Sequence, residues 1–412
     1  MYSKRRNKYM KQLYQYIFEG GASGHMKHPY DYTEFSLREL KGLIRNLFSG
    51  KIEDITEKVD GMNIQASRNE RGEVVFIRNK SDLNNPRGGM ILSDMIAKWS
   101  DKPHVLETFT KAADTIIRVL ENIPISFFNP KGKRLYVNAE CVISGKTNII
   151  PYVADQVDFH DIWVYEYNGR EWIKTETTKD GLDRIQKACV NSRAVITPQL
   201  IIQITDQSKE MMISYIKELD KLFKEVGLGE KNTIQEWKEA RFHEYCKENE
   251  SWIIDEKVEE PLFKRWFDND KSTNIRIIKE FLTKESTERL YNIDKTGYRH
   301  IVRECMRPID DFFIRLGNDI IKLCKGIINS GYEQDVTQQL VQDLRDTVTS
   351  VRARGSVEVR DTLSQQLSRL EELGEGSINA IEGIVFSYKG KVMKMTGSFA
   401  PLNRILNLRF SV

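Results

Sequence analysis

Cysteine is scarce in this chain and poorly arranged for either of its structural uses. The five cysteines, Cys141, Cys189, Cys246, Cys305 and Cys324, are odd in number, scattered and without a CxxC pair. Neither a disulfide framework nor a zinc site is expected, and a reducing cytoplasm fits. Long apolar runs are missing as well. Nothing approaches the roughly 18 residues of a membrane span, and the start, Met1-Tyr2-Ser3-Lys4-Arg5-Arg6, lacks the apolar stretch of a secretory signal. A soluble protein with no membrane partner is expected. Nor does charge of one sign dominate: 63 Lys and Arg against 60 Asp and Glu leave a net charge of +3, too little to identify a polyanionic partner from the total alone.

What is present is a large globular chain. With 412 residues, 40% hydrophobic and 30% charged, it can bury one large core and a second beside it. The distribution of charge says more than its sum. Lys4, Arg5, Arg6, Lys8 and Lys11 interleave with Tyr2, Tyr9, Tyr14 and Tyr16. This reads either as an arm that meets phosphates and stacks on bases or as a solvated helix face. The glycine-rich stretch from Gly20 to Pro29 carries His25 and His28. Three readings stand for it: an ordinary turn, a lid over a nucleotide, or a metal site.

The most informative segment is Glu57-Lys58-Val59-Asp60-Gly61-Met62-Asn63, answered more than three hundred residues later by Glu382-Gly383-Ile384-Val385-Phe386. A lysine beside a tight glycine turn can present its amine to a nucleotide phosphate. Neighbouring cations or desolvation can lower its pKa enough for covalent catalysis, and Lys58 is the candidate nucleophile. KxDGxN followed by an EGxVF strand and a lysine-bearing strand resembles the covalent nucleotidyltransferase superfamily of ATP-dependent DNA ligases, RNA ligases and capping enzymes. Asn63 brings the resemblance closest to phage-type nick-sealing RNA ligases. By this resemblance Glu57, Asp60, Gly61 and Asn63 belong to the nucleotide site.

The other motifs follow in order. Val74 to Lys80 alternates like a strand and contains Arg78, which by resemblance contacts ribose and phosphate. Leu135 to Glu140 is a second strand-like run whose terminal Glu140 would hold the ribose hydroxyls or a metal-bound water. Asp161 to Tyr165 is a short aromatic strand in which Trp163 and Tyr165 share a face. One of them would cover the purine, unless both are simply core. Gly145-Lys146-Thr147-Asn148 either meets a phosphate through Lys146 or is an ordinary turn, since the full glycine-rich P-loop pattern is lacking. Ile381 to Tyr388, the turn Lys389-Gly390 and Lys391 to Thr396 predict a hairpin. There Glu382 would bind metal and Lys394 would neutralise the α-phosphate. The family places two lysines two positions apart on one face. Here Thr396 occupies the second place and Lys391, also a candidate nucleotide contact, falls on the opposite face of a regular strand.

Motif spacing shapes the expected architecture, an α+β nucleotidyltransferase (adenylation) fold of antiparallel sheets and helices with a large inserted helical domain. The stretch from Tyr165 to Glu382 exceeds two hundred residues, against a few dozen in the family. Met212, Tyr215, Ile216, Leu219, Leu222, Phe223 and Val226 recur at helical spacing. So do Phe312, Phe313, Leu316, Ile320, Leu323 and Ile327, and a further helix over Asp361 to Leu373 ends at Gly374. The predicted division is 1–205 and 376–412 for the nucleotidyltransferase domain and 206–375 for a helical bundle. In the bundle Arg345, Arg352 and Arg354 face either nucleic acid or solvent. The few residues after Lys394 leave no room for the OB-fold domain of a DNA ligase or capping enzyme. The resemblance therefore implies an ATP-dependent RNA ligase using Mg2+ (or Mn2+), with RNA ends or nicks as its partner. The alternatives are a nucleotidyltransferase with a DNA or protein acceptor, and a catalytically inactive, virion-associated binding protein.

Overall fold

The computed structural model describes residues 26–52, 54–143, 149–153, 155–270, 272–374 and 376–411. The basic arm, the glycine-rich stretch up to His25, and Lys146 with its neighbours lie outside them. Among the described residues the strands are β1 Thr56–Lys58, β2 Met62–Arg68, β3 Val74–Ile77, β4 Lys133–Val142, β5 Gln156–Tyr167, β6 Trp172–Thr178, β7 Ala194–Ile196, β8 Ile201–Ile202, β9 Cys324–Lys325, β10 Gly383–Tyr388 and β11 Lys391–Met395. The helices that matter below are α1 Leu37–Phe48, α2 Pro103–Glu121, α3 Asp206–Lys224, α4 Ile234–Asn249, α5 Glu256–Phe267, α6 Tyr298–Lys322, α7 Glu333–Arg354, α8 Val357–Glu372 and α9 Phe399–Leu408. The fold is α+β. Its pairings are antiparallel except for β7, which runs parallel to β5.

Two sheets frame the molecule. The larger has the order β3-β2-β4-β5-β6, with β7 beside β5, and the smaller is β1-β10-β11. Alternation of side chains gives the large sheet two unlike faces. Ile64, Ala66, Phe76, Val137, Ala139, Phe159 and Ile162 pack on Phe109, Ala112, Ala113, Ile116 and Leu120 of α2. The opposite face is then left to Asn63, Gln65, Asn138, Glu140, Trp163 and Tyr165. The hairpin of the small sheet forms at the expected turn. Lys389 and Gly390 both take positive φ, 51° and 73°, the conformation that matches the twist of the flanking strands.

The helices start where capping chemistry dictates. Ser36 with Glu39, and Thr233 with Glu236, form reciprocal capping boxes at α1 and α4.

Core packing does not respect the expected boundary at residue 206. Leu40, Leu43 and Leu47 of α1, Tyr215, Leu219 and Phe223 of α3, Phe312, Leu316 and Ile320 of α6, and Ile384, Phe386, Met393 and Met395 of the small sheet form one continuous core. The stripe of α3 packs on α1 and on α6, where Tyr215 meets Phe312 edge-on with centroids 5.7 Å apart, while α6 also covers the small sheet. A separate core does exist farther out. Phe242 and Cys246 of α4, Val258, Leu262, Phe263 and Trp266 of α5, and Ile301 and Cys305 of α6 build it, so α4 and α6 act as stems that carry a helical cap. Val336 and Leu340 of α7 return to pack with Val59, Val142, Ile150 and Tyr152, and with Phe399 and Leu402 of α9. The segment between the motifs is thus partly cap and partly scaffold.

Candidate active site

Lys58 ends β1 opposite Gly383, and Val385 of β10 is opposite both Thr56 of β1 and Lys394 of β11. By alternation Lys58 and Lys394 project from one face of the small sheet. The Lys58 amine contacts the Glu382 carboxylate in an ion pair. The two side chains keep 23% and 13% of their exposure, so the pair sits at a partly open position. Gly383 is required here by close approach, because a Cβ would land on the Met395 carbonyl oxygen. Gly61 is required for the same reason. A Cβ there would sit 2.9 Å from both the Cys141 carbonyl oxygen and the Cγ of Glu140. The glycine is what lets the turn between β1 and β2 lie against β4.

Glu140 arrives from β4 directly opposite Asn63 of β2. The Asn63 amide donates to Asn138 Oδ1 at 3.0 Å and to Glu140 Oε2 at 3.1 Å. The Asn63 backbone carbonyl accepts from Arg78 Nη1 at 2.8 Å. The sequence motifs led by Lys58, Arg78, Glu140, Glu382 and Lys394 thus come together from five chain segments. The charges act on one another. Burial alone would push the Lys58 amine down, but Glu382 and Glu140 outweigh it and hold the amine above the ordinary lysine range. This corrects the expectation of a lowered amine pKa: the nearest groups are acids. Burial drives Glu140 up to about 7, against the pull of Lys58 and His160. Burial and Lys58 together lower Lys394, and burial lowers Arg78 despite the opposing Glu140.

Several expected nucleotide contacts are placed differently. Glu57 shares the face of Ile384 and Met395, opposite to Lys58, and only 3% of it is exposed. Its Oε2 accepts from the Ile328 N–H at 2.7 Å, and burial pushes its pKa up to about 8. Glu57 ties β1 to the segment before α7 rather than lining the lysine's face. Asp60 accepts from the Ile149 and Ile150 N–H groups at 2.6 and 3.0 Å, and burial and Glu382 raise it to about 7. It pins the chain that follows Lys146. Lys391 pairs with Glu34 at 2.5 Å and lies over the Tyr32 ring, away from the lysine face, as its odd-numbered register requires. Thr396 is buried, close to the backbone of Gly383 and Gly317.

Trp163 and Tyr165 pack together on the face that carries Asn63 and Glu140. Both belong to a small core with Val75, Ile77, Leu83 and Tyr136. The Tyr165 hydroxyl donates to Gln65 Oε1 at 3.0 Å, and the Lys174 amine sits 3.5 Å from the Trp163 ring centroid.

Sequence reasoning missed His160. Ala139 lies opposite Phe159 and Asn138 opposite Asp161, leaving His160 as the extra residue of a bulge, a device that re-aims side chains. Its Nδ1 lies 3.0 Å from Asp161 Oδ2. Burial lowers its pKa, but Asp161 and Glu140 outweigh that and raise it. The signal was a histidine between two aspartates, Asp158 and Asp161, within the strand Gln156–Tyr167. Asp158 is fully buried, its Oδ2 is without a hydrogen-bond partner, and burial raises it to about 6.

Chemically, this cleft combines one amine, flanking cations and carboxylates that are partly protonated near neutrality. Among the described residues no trio of His, Cys, Asp or Glu is placed to hold a metal on protein ligands alone. Mg2+ commonly binds through one or two carboxylates plus phosphate oxygens, and Glu382 and Glu140 fit that donor set. No protein-family model, no curated protein and no solved structure matches the chain.

Proposed function

We propose that the chain is an ATP-dependent RNA ligase of nucleotidyltransferase fold that works through a lysyl-AMP intermediate at Lys58. One observation carries the reading. A lysine beside a glycine turn contacts Glu382 from a segment more than three hundred residues away, and Glu140, Arg78 and Lys394 converge on the same pair. A chance lysine motif would not gather those partners.

In the first step the Lys58 amine, once deprotonated, attacks the α-phosphorus of ATP. The Nζ–P bond forms, the bond to the bridging α,β-oxygen breaks, and pyrophosphate leaves with that electron pair. Lys394 and Arg78 stabilise the charge that grows on phosphate oxygens. The proton has an acceptor in contact, the Glu382 carboxylate. A divalent cation on Glu382 and Glu140 would offset the negative field that keeps Lys58 protonated. AMP then passes to a 5′-phosphate end, and a 3′-hydroxyl displaces it to join the strand. Mn2+ has the same preference for oxygen donors as Mg2+. The choice of RNA rests on the resemblance carried by Asn63. Arg345, Arg352 and Arg354, all exposed on or near the end of α7, are the candidate surface for the acceptor strand.

The test is to form the adduct with ATP and Mg2+, remove free nucleotide, and add nicked or single-stranded RNA or DNA with 5′-phosphates. Loss of AMP from the protein with sealing of RNA supports the reading. Sealing of DNA alone moves the assignment to a DNA acceptor, and an adduct that no polynucleotide discharges points to a protein acceptor.

A further inference from the structure

Just before α1 the chain runs along the outer edge of the small sheet. The Lys394 N–H donates to the Lys27 carbonyl at 2.9 Å, and the Tyr32 hydroxyl donates to the Val392 carbonyl at 2.5 Å. The strap from Lys27 to Tyr32 is therefore bonded to β11 at two points, with His28 next to the first. The His28 ring is held in place. It stacks on Tyr30 with centroids 5.2 Å apart and planes 10° from parallel. Tyr30 is buried and donates to Asp310 Oδ1 at 2.6 Å, and Asp310 in turn accepts from Arg369 at 2.7 Å. The His28 backbone N–H donates to Asp31 Oδ2 at 2.8 Å.

We propose that His28 is a ligand for the triphosphate tail of ATP, gripping the two phosphates that leave as pyrophosphate; this rests on the nucleotidyltransferase reading. The order across the sheet is Lys58 on β1, then β10, then Lys394 on β11, then the strap. A leaving group must depart in line, away from the nucleophile, and this row leads away from Lys58 over Lys394 to His28. Lys394 lies between Lys58 and the strap, and the charges of both lysines reach the His28 ring. Lys394 is half-buried, and among the described residues no carboxylate lies within ion-pair distance of it. An unpaired ammonium beside an imidazole that can take up a proton is what a polyanion would complete.

Protonation follows the same logic. Burial, Lys394 and Lys58 lower His28 to about 4, against Asp31 and Asp310, so at neutral pH the imidazole is uncharged while the cleft holds no anion. Phosphates beside it reverse the sign of the local field and favour the imidazolium. Binding of the triphosphate therefore takes up protons, one of them at His28.

The experiment is calorimetric titration of the full chain, with Mg2+, by α,β-methylene-ATP, AMP and inorganic pyrophosphate, each in two buffers of different ionisation enthalpy. His28→Gln is expected to weaken α,β-methylene-ATP and pyrophosphate about tenfold, to leave AMP unchanged, and to take up less proton on binding. His28→Ala should behave alike, and an unchanged thermal midpoint in either variant shows that the strap is intact. Equal weakening of AMP, or no weakening of α,β-methylene-ATP in a chain whose wild type forms lysyl-AMP, overturns the assignment to the tail while sparing the ligase reading. A wild-type chain that binds none of the three overturns both.

Discussion

At Lys58 burial and charge pull one amine in opposite directions, and the acids prevail. The same burial acts on the acids themselves, holding Glu57 up to about 8 and Asp60 and Glu140 up to about 7. The sign of the linkage follows. Above the ordinary carboxylate range the folded protein keeps protons that the unfolded chain has released, so stability falls as pH rises through the folded values. His28 acts in the opposite sense, but only below its ordinary 6.5. The window from pH 6.5 to 8 is therefore governed by the acids together with His160, whose raised pKa acts in the same direction. Thermal melts of the nucleotide-free chain should show a midpoint that drops by a few degrees across that window. Glu57→Gln, which keeps an acceptor for the Ile328 N–H, should flatten the upper part of the drop. A midpoint that rises from pH 6.5 to 8 would contradict the buried, proton-holding acids.

At the scale of elements, the turn and the clamp set the site. Gly61→Ala forces a Cβ against Glu140 and the β4 backbone. It should cut adduct formation about a hundredfold or more, as misplacement by about 1 Å does in other sites, while the far-face core with α2 stays folded. Circular dichroism alongside the adduct assay checks this, and a fully active Gly61→Ala chain would show that the turn before β2 need not approach β4 so closely. Arg369 of α8, 7% exposed, holds Asp310 and Asp311 of α6 together. Arg369→Leu strands two carboxylates and should lose about 3–5 kcal/mol in denaturant unfolding; a loss below about 1 kcal/mol would mean that water reaches the pair. The elements themselves were largely readable. The hairpin turn at Lys389-Gly390 and the stripes of α3, α6 and α8 follow from periods of 2 and 3.6. What periodicity does not encode is which surface covers a stripe, so the stripes were expected to bury one another in a bundle within the segment, whereas α3 also packs on α1 and α6 also covers the small sheet. His160 was hidden for a related reason, because a bulge breaks the alternation from which its face would be read. Trp163 and Tyr165 show the converse: their shared face was legible, but not that Gln65, Tyr136 and Lys174 would occupy it.

Across the whole molecule, the segment 206–375 is joined to the site rather than appended to it. Its excision would strip Tyr215, Leu219, Phe223, Phe312, Leu316 and Ile320 from the core that backs β10 and β11, at about 1.5–3 kcal/mol for each large apolar side chain. For the six together that is roughly 9–18 kcal/mol, as large as the roughly 5–15 kcal/mol typical of a folded domain, so the excised chain should not fold. The central claim concerns a single bond, between Lys58 and phosphorus, and α-labelled and γ-labelled ATP with Mg2+ test it most directly. The account predicts that the α-label alone stays on the denatured protein, with AMP mapped to Lys58 by mass spectrometry. Lys58→Ala and Lys58→Arg should both lose the label, since a guanidinium offers no free lone pair. Label retained by folded Lys58→Ala, AMP on another residue, or no label with any divalent cation would contradict it.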